Sequence, residues 1–407
     1  MDSGAIFTST ALAAMIGTFL MAFFANYPFA LAPGMGLNAY MAFTVCGNMG
    51  YSWQIALLAV FVEGLIFIVL SLTNVREAIF NAIPMALKKG VSAGIGLFIA
   101  FIGLQGANLV VNDDSTLLTY VKFVGDFHTI GIGALLALIG LFIIVVLHHK
   151  NIKGSILIGI LATWILGMIC EAIGLYVPDG KEFYSLYPSF RMIDFGAFGT
   201  TFGQCFNVDF SGVDILNFIA VLFAFLFVDI FDTLGTLIGV STKANMLDEE
   251  GKLPRIRPAL LADAIATSVG AIFGTSTTTT YVESSAGVAA GGRTGLSAMV
   301  TGLLFLLAIV FAPIFTAIPS FATAPALIFV GFLMISSIIS IDFEDITEAV
   351  PAYLAMLAMP LMYSISEGIA LGVISYVVIN LCCGKAKKIK PLMYILAVLF
   401  VLKYIFL

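Results

Sequence analysis

The sequence predicts an all-α, polytopic membrane protein. Of its 407 residues, 61% are hydrophobic and only 10% are charged, whereas soluble domains carry about 25% charged residues. Apolar runs of about 20 residues, the length that a helix needs to cross the hydrocarbon core, recur from end to end. The alternation typical of barrel strands is not visible. We therefore expect a single membrane domain over residues 1–407.

Hydropathy and helix breakers predict thirteen to fourteen spans along the chain. The predicted spans lie near 9–25, 28–46, 52–74, 92–111, 129–148, 154–174, 215–241, 259–275, 277–292, 296–318, 322–341, 349–364 and 366–383. A last apolar stretch, 391–407, is shorter and either crosses the membrane or lies in its interface.

Two of these spans are expected to be broken. Segment 28–46 contains Pro33-Gly34-Met35-Gly36, and segment 277–292 begins with four threonines and ends with two glycines. Both are rich in small residues and poor in leucine. Broken spans expose backbone groups, which is tolerated only where they line a cavity or are buried in protein. Paired broken segments therefore mark the candidate substrate site.

An internal repeat supports this pairing. The hexamer Ile79–Pro84 resembles Ile314–Pro319, and upstream of them Glu63–Phe67 resembles Thr301–Phe305 at a similar offset. In each half, this unit follows the broken span. The order of the two matches predicts a duplicated membrane unit.

Lysine and arginine predict the orientation of the chain. Basic loops, expected on the cytoplasmic side, lie at 75–91, 148–153, 242–258 and 384–390. The loops at 112–128 and 175–214 are richer in acidic and aromatic residues and are expected outside. Counting back from the first basic loop puts Met1 outside, so we expect a leading span to be missing before the first apolar segment.

Ionisable residues inside spans are costly and suggest function. Asp229 and Asp232 lie three residues apart, on one helix face, where one of two neighbouring carboxylates can hold a proton. Proton coupling is the functional interpretation. The ordinary alternatives are a helix end that dips into water, or carboxylates that cap a neighbouring broken helix.

The second broken span carries Glu283, whose carboxylate can accept two N–H bonds from a planar ligand. Hydroxyl groups of Thr279 and Ser284 can complete a polar ring around such a ligand. The alternative is that Glu283 neutralises Arg293 or satisfies backbone amides. Tyr281 can stack on an aromatic ligand, although in a chain with 36 phenylalanines packing or lipid contact is the favoured role of any single aromatic residue.

Asn38, in the first broken span, offers both a donor and an acceptor, which suits a heterocycle. Its alternative role is to cap a helix after Gly36. We assign supporting roles to Asp263, Thr279 and Gly36, with Asp263 expected to bridge core helices. Glu63 is expected to be a structural partner.

Other classes of function lack a signature in the sequence. The chain has three histidines and five cysteines without disulfide or metal-site spacing, and it lacks a nucleophile–histidine–acid set or a phosphate loop. We expect no enzyme activity, no metal, no cofactor and no nucleic-acid partner. The absence of an obvious cage of oxygen ligands favours H⁺ over Na⁺ as a coupling ion.

Three motifs together resemble the AzgA-type hypoxanthine/guanine permeases, a branch of the nucleobase–cation symporter superfamily that includes xanthine/uracil permeases. The motifs are Ala32–Tyr40, Asp229–Thr236, and Thr279–Ser284 with Gly291–Gly295. The resemblance covers essentially the whole chain. Members of this family carry a first span before the segment that matches residues 4–25, which agrees with the leading span expected above.

The resemblance implies a seven-plus-seven inverted-repeat fold whose two broken spans are half strand and half helix. It implies a core (1–75 and 215–300), a gate (90–175 and 320–383) and a C-terminal part, 384–407, with a basic segment and an apolar end. It further implies an elevator-like mechanism and a homodimer formed through the gate. By position, Asn38, Glu283 and either Asp229 or Asp232 would contact a purine, and the choice between the two aspartates stays open.

The sequence thus predicts proton-coupled uptake of hypoxanthine, guanine or adenine across the plasma (inner) membrane. Substrate would be bound by Asn38, Asp229, Asp232, Tyr281, Glu283 and Ser284, and the proton by Asp229, Asp232 or Glu283. One alternative is an inactive or truncated purine-binding pseudo-carrier. Another is a carrier of a different small solute, such as an inorganic anion, which the intramembrane carboxylates disfavour.

Overall fold

The computed structural model describes residues 3–34, 37–38, 40–123, 126–180, 183–188, 195–209, 215–315 and 317–406. Within these ranges the chain is mainly helical. The α-helices are α1 (Ser3–Leu20), α2 (Trp53–Leu72), α3 (Val75–Ala82), α4 (Met85–Gly106), α5 (Ile132–His149), α6 (Ser155–Ala172), α7 (Ile215–Lys243), α8 (Ile256–Phe273), α9 (Ser284–Ala289), α10 (Gly295–Val310), α11 (Ala312–Phe315), α12 (Ser320–Ile335), α13 (Ile346–Leu361), α14 (Ile365–Cys382) and α15 (Pro391–Phe406).

Short π- and 3₁₀-helical segments extend or connect these helices. The π-helical segments are Met21–Ala25, Tyr40–Asn48 and Phe127–Gly131, and the 3₁₀ segments are Phe195–Thr200, Gln204–Phe206, Ser336–Ser340 and Ala386–Lys388. The described ranges also contain four short strands: β1 (Leu31–Pro33), β2 (Val110–Asp113), β3 (Leu117–Tyr120) and β4 (Thr278–Thr280).

Nine helices in the described ranges are long and apolar enough to cross a membrane. They are Gly4–Ala25, Trp53–Leu72, Met85–Gly106, Phe127–His149, Ser155–Ala172, Val221–Lys243, Ile256–Phe273, Ser320–Ser340 and Ile365–Cys382. Shorter apolar helices are Gly295–Val310, Ile346–Leu361 and Pro391–Ile405. These twelve helices fall at predicted apolar segments, and the all-α polytopic fold class is confirmed.

The two predicted broken spans meet as a pair of antiparallel strands. Leu31 pairs with Thr280, Ala32 with Thr279, and Pro33 with Thr278. Backbone hydrogen bonds extend the ladder at both ends, from Gly34 N to Thr277 O and from Tyr281 N to Ala30 O. We call this paired segment, residues 30–34 with 277–281, the strand crossing. The expected half-strand, half-helix form is therefore observed in both segments.

Close helix packing surrounds the strand crossing. A Cβ atom on Gly64 of α2 would lie 2.8 Å from the backbone nitrogen of Ser268 on α8, so this contact requires a glycine. Gly17 of α1 is similar, because its Cβ would lie 2.8 Å from the Cβ atom of Ala266. The missing side chains let α1, α2 and α8 approach closely enough to exclude water from the strands.

The chain divides into two compact units. The first comprises Met1–Ile95, Ile193–Val310 and Ser337–Leu407 and contains the strand crossing. The second comprises Gly96–Met192 and Phe311–Ser336. The predicted core and gate are defined by which parts of the chain move together during transport, whereas these two units are defined by compactness. The division into core and gate therefore stays a prediction.

The second unit packs α5, α6 and α12 around Phe321. Its ring lies against Gly133 and Gly167, where any Cβ would be within 3.3 Å of ring atoms. Trp164 Nε1 donates to Leu186 O at 3.0 Å, and Tyr176 Oη donates to Tyr184 O at 3.0 Å. A cavity of about 390 Å³ lies beside these groups, within this unit. None of the predicted site residues lines it.

Candidate functional site

The outer edge of β1 is held by a single hydroxyl group. Thr18 of α1 is fully buried, and its Oγ1 accepts from Leu31 N at 3.0 Å and donates to Leu31 O at 3.3 Å. The side chain therefore replaces a neighbouring strand at this edge. A buried backbone group without such a partner would be costly.

The outer edge of β4 is held by a carboxylate and a hydroxyl group from α8. Asp263 Oδ1 accepts from Thr280 N at 2.9 Å and from the hydroxyl groups of Thr280 and Thr279 at 3.1 and 3.2 Å. Thr267 Oγ1 donates to Thr278 O at 3.0 Å. Asp263 thus joins α8 to the second broken span.

Asp263 is neutralised by a buried arginine. Arg76 of α3 lies 2.9 Å from Asp263 Oδ2, and both side chains are fully buried. The guanidinium also donates to Leu260 O at 3.1 Å and lies 4.3 Å from the ring centre of Phe67. A bidentate set of donors and an aromatic face suit arginine better than lysine. The pair fixes a helix outside the apolar spans to the centre of the first unit.

Thr233 of α7 connects Asp229 to the strand crossing. Its Oγ1 lies 3.2 Å from Asp229 Oδ1, 3.1 Å from Asp263 Oδ2, and within hydrogen-bond distance of Thr279 Oγ1. A hydroxyl group has one hydrogen, so Thr233 cannot donate to both carboxylates at once. Asp229 is fully buried, and its Oδ2 lacks a hydrogen-bond partner in the described part of the chain.

Asp232 faces a different neighbour from Asp229. Its Oδ1 accepts from Ser366 N, at the start of α14, at 3.2 Å, and its side chain stays half-buried. Lys403 of α15 interacts electrostatically with it and also forms an ion pair with Glu367. The aspartates, three residues apart, therefore belong to two environments: Asp229 to the threonine network and Asp232 to the α14–α15 side.

Glu283 lies at the N-cap of α9, directly after the strand crossing. Its Oε2 is buried and has no hydrogen-bond partner among the described residues, while the residue as a whole is half-buried. The charge of Glu283 acts on Tyr281, so the two side chains are close. Arg293 instead donates to Val288 O and Gly292 O, and so engages backbone carbonyls.

Ser284 engages the backbone of the first broken span. Its Oγ accepts from Ala30 N at 2.9 Å and lies 3.4 Å from Ala30 O. Asn38 links the opposite end, because its Oδ1 accepts from the hydroxyl group of Ser276. Gly36, to which we assigned a supporting role, lies outside the described residues.

The site as built therefore gathers most of the predicted residues around the strand crossing. Asn38, Asp229, Asp263, Thr279, Tyr281, Glu283 and Ser284 belong to it through contacts with the strands or their flanking residues. Asp232 faces α14 and α15. Sequence reasoning missed two partners, Thr233 and Arg76. Glu63, expected only as a structural partner, accepts from Thr277 Oγ1 at 3.1 Å.

Arg76 left a signal that could have been recognised. It lies in the segment 75–91 that we interpreted as a basic loop, yet it shares a face of α3 with buried Ile79 and Phe80, and buried Ile83 directly follows the helix. A charge at i, followed by apolar residues at i+3, i+4 and i+7, lies on the apolar side of an amphipathic helix. Such a charge requires a buried partner, and here the partner is Asp263.

Comparison with known proteins identifies this architecture. The sequence matches the model of the permease family Xan_ur_permease over residues 1–371. The chain belongs to this permease family. Family membership, as the sequence motifs predicted, is confirmed, and the protein is a multi-pass permease of the plasma membrane and not an enzyme.

Curated relatives of the permease align over nearly all of it. The guanine/hypoxanthine permease PbuG of Bacillus subtilis is 48% identical over 406 residues, which cover 100% of this chain and 88% of that protein. The adenine permease AdeP of Escherichia coli is 41% identical over 406 residues, covering 100% and 86%. The nucleobase transporter PlAzg2 of Paenibacillus larvae is 34% identical over 368 residues, covering 90% and 69%.

A solved structure shares the fold of the permease. The transmembrane domain of the cyanobacterial bicarbonate transporter BicA superposes with a TM-score of 0.53 at 17% identity, covering 91% of this chain and 97% of that domain. At this identity the likeness concerns the fold alone.

Proposed function

We propose that the permease carries purine nucleobases (hypoxanthine, guanine or adenine) into the cell together with a proton. The observation that carries this proposal is Glu283, a half-buried carboxylate with an unpartnered oxygen at the end of the strand crossing. The substrate class comes from the relatives, whose names are those of guanine/hypoxanthine and adenine permeases.

The chemistry of the site suits a flat ring with N–H groups on its edge. A carboxylate accepts such N–H groups, and a charge-assisted hydrogen bond contributes about 1.5–3 kcal/mol. Asn38 adds a donor and an acceptor from the other broken span, and Tyr281 adds an aromatic surface beside Glu283. Backbone groups at the broken ends supply further polar contacts.

We assign different tasks to the two aspartates of α7. Asp232 keeps part of its side chain exposed and can be reached by a substrate, whereas Asp229 is fully buried beneath the threonine network. In this proposal Asp232 completes the purine contacts with Glu283, and Asp229 holds the proton. Ser284, whose hydroxyl group engages Ala30, positions the strand crossing.

The test is uptake of labelled hypoxanthine, guanine, adenine and uracil into cells that lack purine transport, with and without a protonophore. We expect protonophore-sensitive purine uptake by the wild type. Glu283→Gln should abolish uptake while membrane levels stay normal. The matched control is Glu344→Gln, because Glu344 is an exposed glutamate in the loop before α13.

Retained uptake by the Glu283→Gln variant would contradict the proposal. Binding of purine by the purified wild type without flux would instead favour the pseudo-carrier, and neither binding nor flux would favour another solute. A thermal-shift assay with each purine separates these two outcomes.

The elevator-like mechanism and the homodimer are part of the same proposal. In an elevator, residues of the site change the side from which they are accessible, whereas those of the gate do not. A cysteine introduced at Gly287, an exposed position on α9 near Glu283, should therefore react with an impermeant thiol reagent from either side, depending on substrate. Equal reactivity in all conditions would contradict the elevator, and sizing of the purified permease tests the dimer.

A further inference from the structure

Glu63 is a buried carboxylate to which the proposed function gives no role. It lies on α2 and is 0% exposed. Its Oε2 accepts from Thr277 Oγ1 at 3.1 Å, whereas its Oε1 has no hydrogen-bond partner within the described ranges. An ionised carboxylate normally accepts several hydrogen bonds. One neutral donor is therefore a poor environment for a charge.

The charges around Glu63 come from three helices. Asp229 on α7 and Asp263 on α8 are negative, and Arg76 on α3 is positive. The other segments packed closely on α2, Tyr40–Asn48 and Gln204–Phe206, contribute uncharged titratable groups: Tyr40, Cys46 and Cys205.

One cation thus serves three buried carboxylates. The guanidinium of Arg76 is already committed, at 2.9 Å, to Asp263, which also receives three bonds from Thr279 and Thr280. Glu63 and Asp229 each retain one buried oxygen without a partner. Two uncompensated charges in a water-free interior are costly, and carboxylates in this situation take up a proton instead.

The bond between Glu63 and Thr277 connects this group to the strand crossing. Thr277 directly precedes β4, and its backbone oxygen accepts from Gly34 N of the first broken span at 3.2 Å. The hydroxyl group of Thr277 donates to Glu63. Deprotonation of Glu63 would strengthen this bond, because hydrogen bonds to ionised acceptors are about twice as strong as neutral ones. The charge state of Glu63 therefore acts on the segment that holds both broken spans together.

We propose that Glu63 is a proton-binding residue of the transport cycle, which is linked through Thr277 to the strand crossing. The role of this proton in transport rests on the proposed function. The binding of a proton by Glu63 does not depend on it. His, Cys, Asp and Glu side chains of the described residues form no group of three that could hold a metal ion, and a proton needs only one carboxyl group.

The first experiment reconstitutes the full-length permease in proteoliposomes. Glu63→Gln keeps the shape of the side chain but cannot release a proton. We expect this variant to bind purine and to exchange it across the membrane like the wild type. Accumulation driven by a pH gradient should fall about tenfold or more, within the range of ordinary coupling energies. Glu344→Gln should accumulate purine normally, and Glu63→Asp should recover part of the gradient-driven uptake.

Gradient-driven accumulation by Glu63→Gln at the wild-type level would overturn the proposal. If Glu63→Gln does not fold, Thr277→Val provides the second variant. Loss of the hydroxyl donor disfavours the ionised form of Glu63, so the profile of uptake against pH should move to higher pH. An unchanged profile would equally overturn the proposal.

A measurement without purine separates this inference from the proposed function. The infrared spectrum of the purified permease near neutral pH should contain a protonated-carboxyl C=O band that is absent from Glu63→Gln. If the band is present and purine is not transported, the proton site stands and the proposed function fails. If the two spectra agree in this region, Glu63 binds no proton and the inference fails.

Discussion

The two strands of the crossing have the same backbone geometry but are held by different chemistry. β1 is apolar, and its outer edge is bonded by one neutral hydroxyl group, that of Thr18. β4 consists of three threonines, and its outer edge is bonded by the ionised pair of Asp263 and Arg76. The first broken span therefore supplies a neutral support, whereas the second is linked to every buried charge around the site.

The two broken spans therefore share a paired-strand geometry without sharing the chemistry that holds it. A neutral edge responds to mutation through lost hydrogen bonds alone. A charged edge responds through unpaired charge as well, which costs more in a dry interior. Substitutions on the β4 side should therefore have larger effects than those on the β1 side, and they should alter the pH dependence of transport.

The largest effect is expected from Asp263→Asn. It leaves Arg76 as an unpaired buried cation, and breaking such a pair costs about 3–5 kcal/mol. The detergent-solubilised variant should unfold at a lower temperature and give a low yield. Combining it with Arg76→Met removes the unpaired charge and should recover much of the loss. A single variant as stable as the wild type would show that the pair does not support β4.

Effects of intermediate size are expected from Thr279→Val and Thr18→Val, which each remove one buried hydroxyl group. The two variants should differ in the pH dependence of uptake. Loss of buried hydrogen-bond partners costs about 1–3 kcal/mol in either case. Only Thr279 contacts the carboxylate network, through Asp263 and Thr233. Thr279→Val should move the profile of uptake against pH to higher pH, because the ionised carboxylates lose a donor.

Thr18→Val should lower stability without moving that profile. Uptake measured between acidic and alkaline pH, together with thermal unfolding of both proteins, checks this pair. The comparison between the strands fails if both variants shift the profile equally.

A smaller effect is expected from Ser284→Ala at the junction of the two spans. The hydroxyl group bonds the backbone of Ala30, and a neutral hydrogen bond contributes about 0.5–1.5 kcal/mol. We expect a modest fall in the unfolding temperature and an unchanged KM for purine. A raised KM with unchanged stability would instead assign this hydroxyl group to the substrate.

The smallest effect on stability should come from the solvent-accessible cluster around Asp345, which provides a baseline for the buried pair of Asp263 and Arg76. Hydrogen bonds from Thr347, Lys385 and Lys388 hold the pKa of Asp345 well below its ordinary value. Its stabilisation is complete above the ordinary pKa of about 3.9 and is lost as the pH falls through the lowered value. Thermal unfolding of Asp345→Asn should differ slightly from the wild type near neutral pH and converge with it in strong acid.

Salt offers a second check of this baseline. Exposed pairs are screened by added salt, whereas buried ones are screened much less. The difference between Asp345→Asn and the wild type should shrink as NaCl is added, and the loss caused by Asp263→Asn should persist. Equal sensitivity of the two would contradict the contrast between an exposed and a buried site.

Much of the architecture is local in the sequence, and this part could be predicted. Spans are set by apolar length, and the broken segments are marked by Pro33-Gly34 and the threonine run. The register of β1 against β4 could not be read, because it depends on packing between segments that lie far apart along the chain. Arg76 was assigned to a loop because the lysine and arginine content of segment 75–91 was used there, and the helical periodicity of its apolar residues was not.

The carboxylates of the site were found because charge is rare inside spans. Their hydrogen-bond partners were not, since threonine is common in membrane helices and Thr233 carries no distinguishing pattern. Glu63 was expected only as a structural partner, and it became visible only in three dimensions that the neighbouring cation, Arg76, is bound to Asp263 instead. Lys403 lay in an apolar stretch, where nothing in the local sequence pointed to Glu367.

The pairing of Arg76 with Asp263 also bears on how the protein is made. The two residues are 187 positions apart in the chain. At about 5–20 residues per second, the ribosome needs roughly 10 to 40 seconds to deliver the aspartate after the arginine has emerged. During that interval the guanidinium of Arg76 on α3 has no carboxylate partner and stays solvated. We therefore expect α3 to pack into the first unit only after α8 has been synthesised. The final assembly of the first unit is thereby tied to the synthesis of nearly half the chain, including all the residues of the second unit up to Met192.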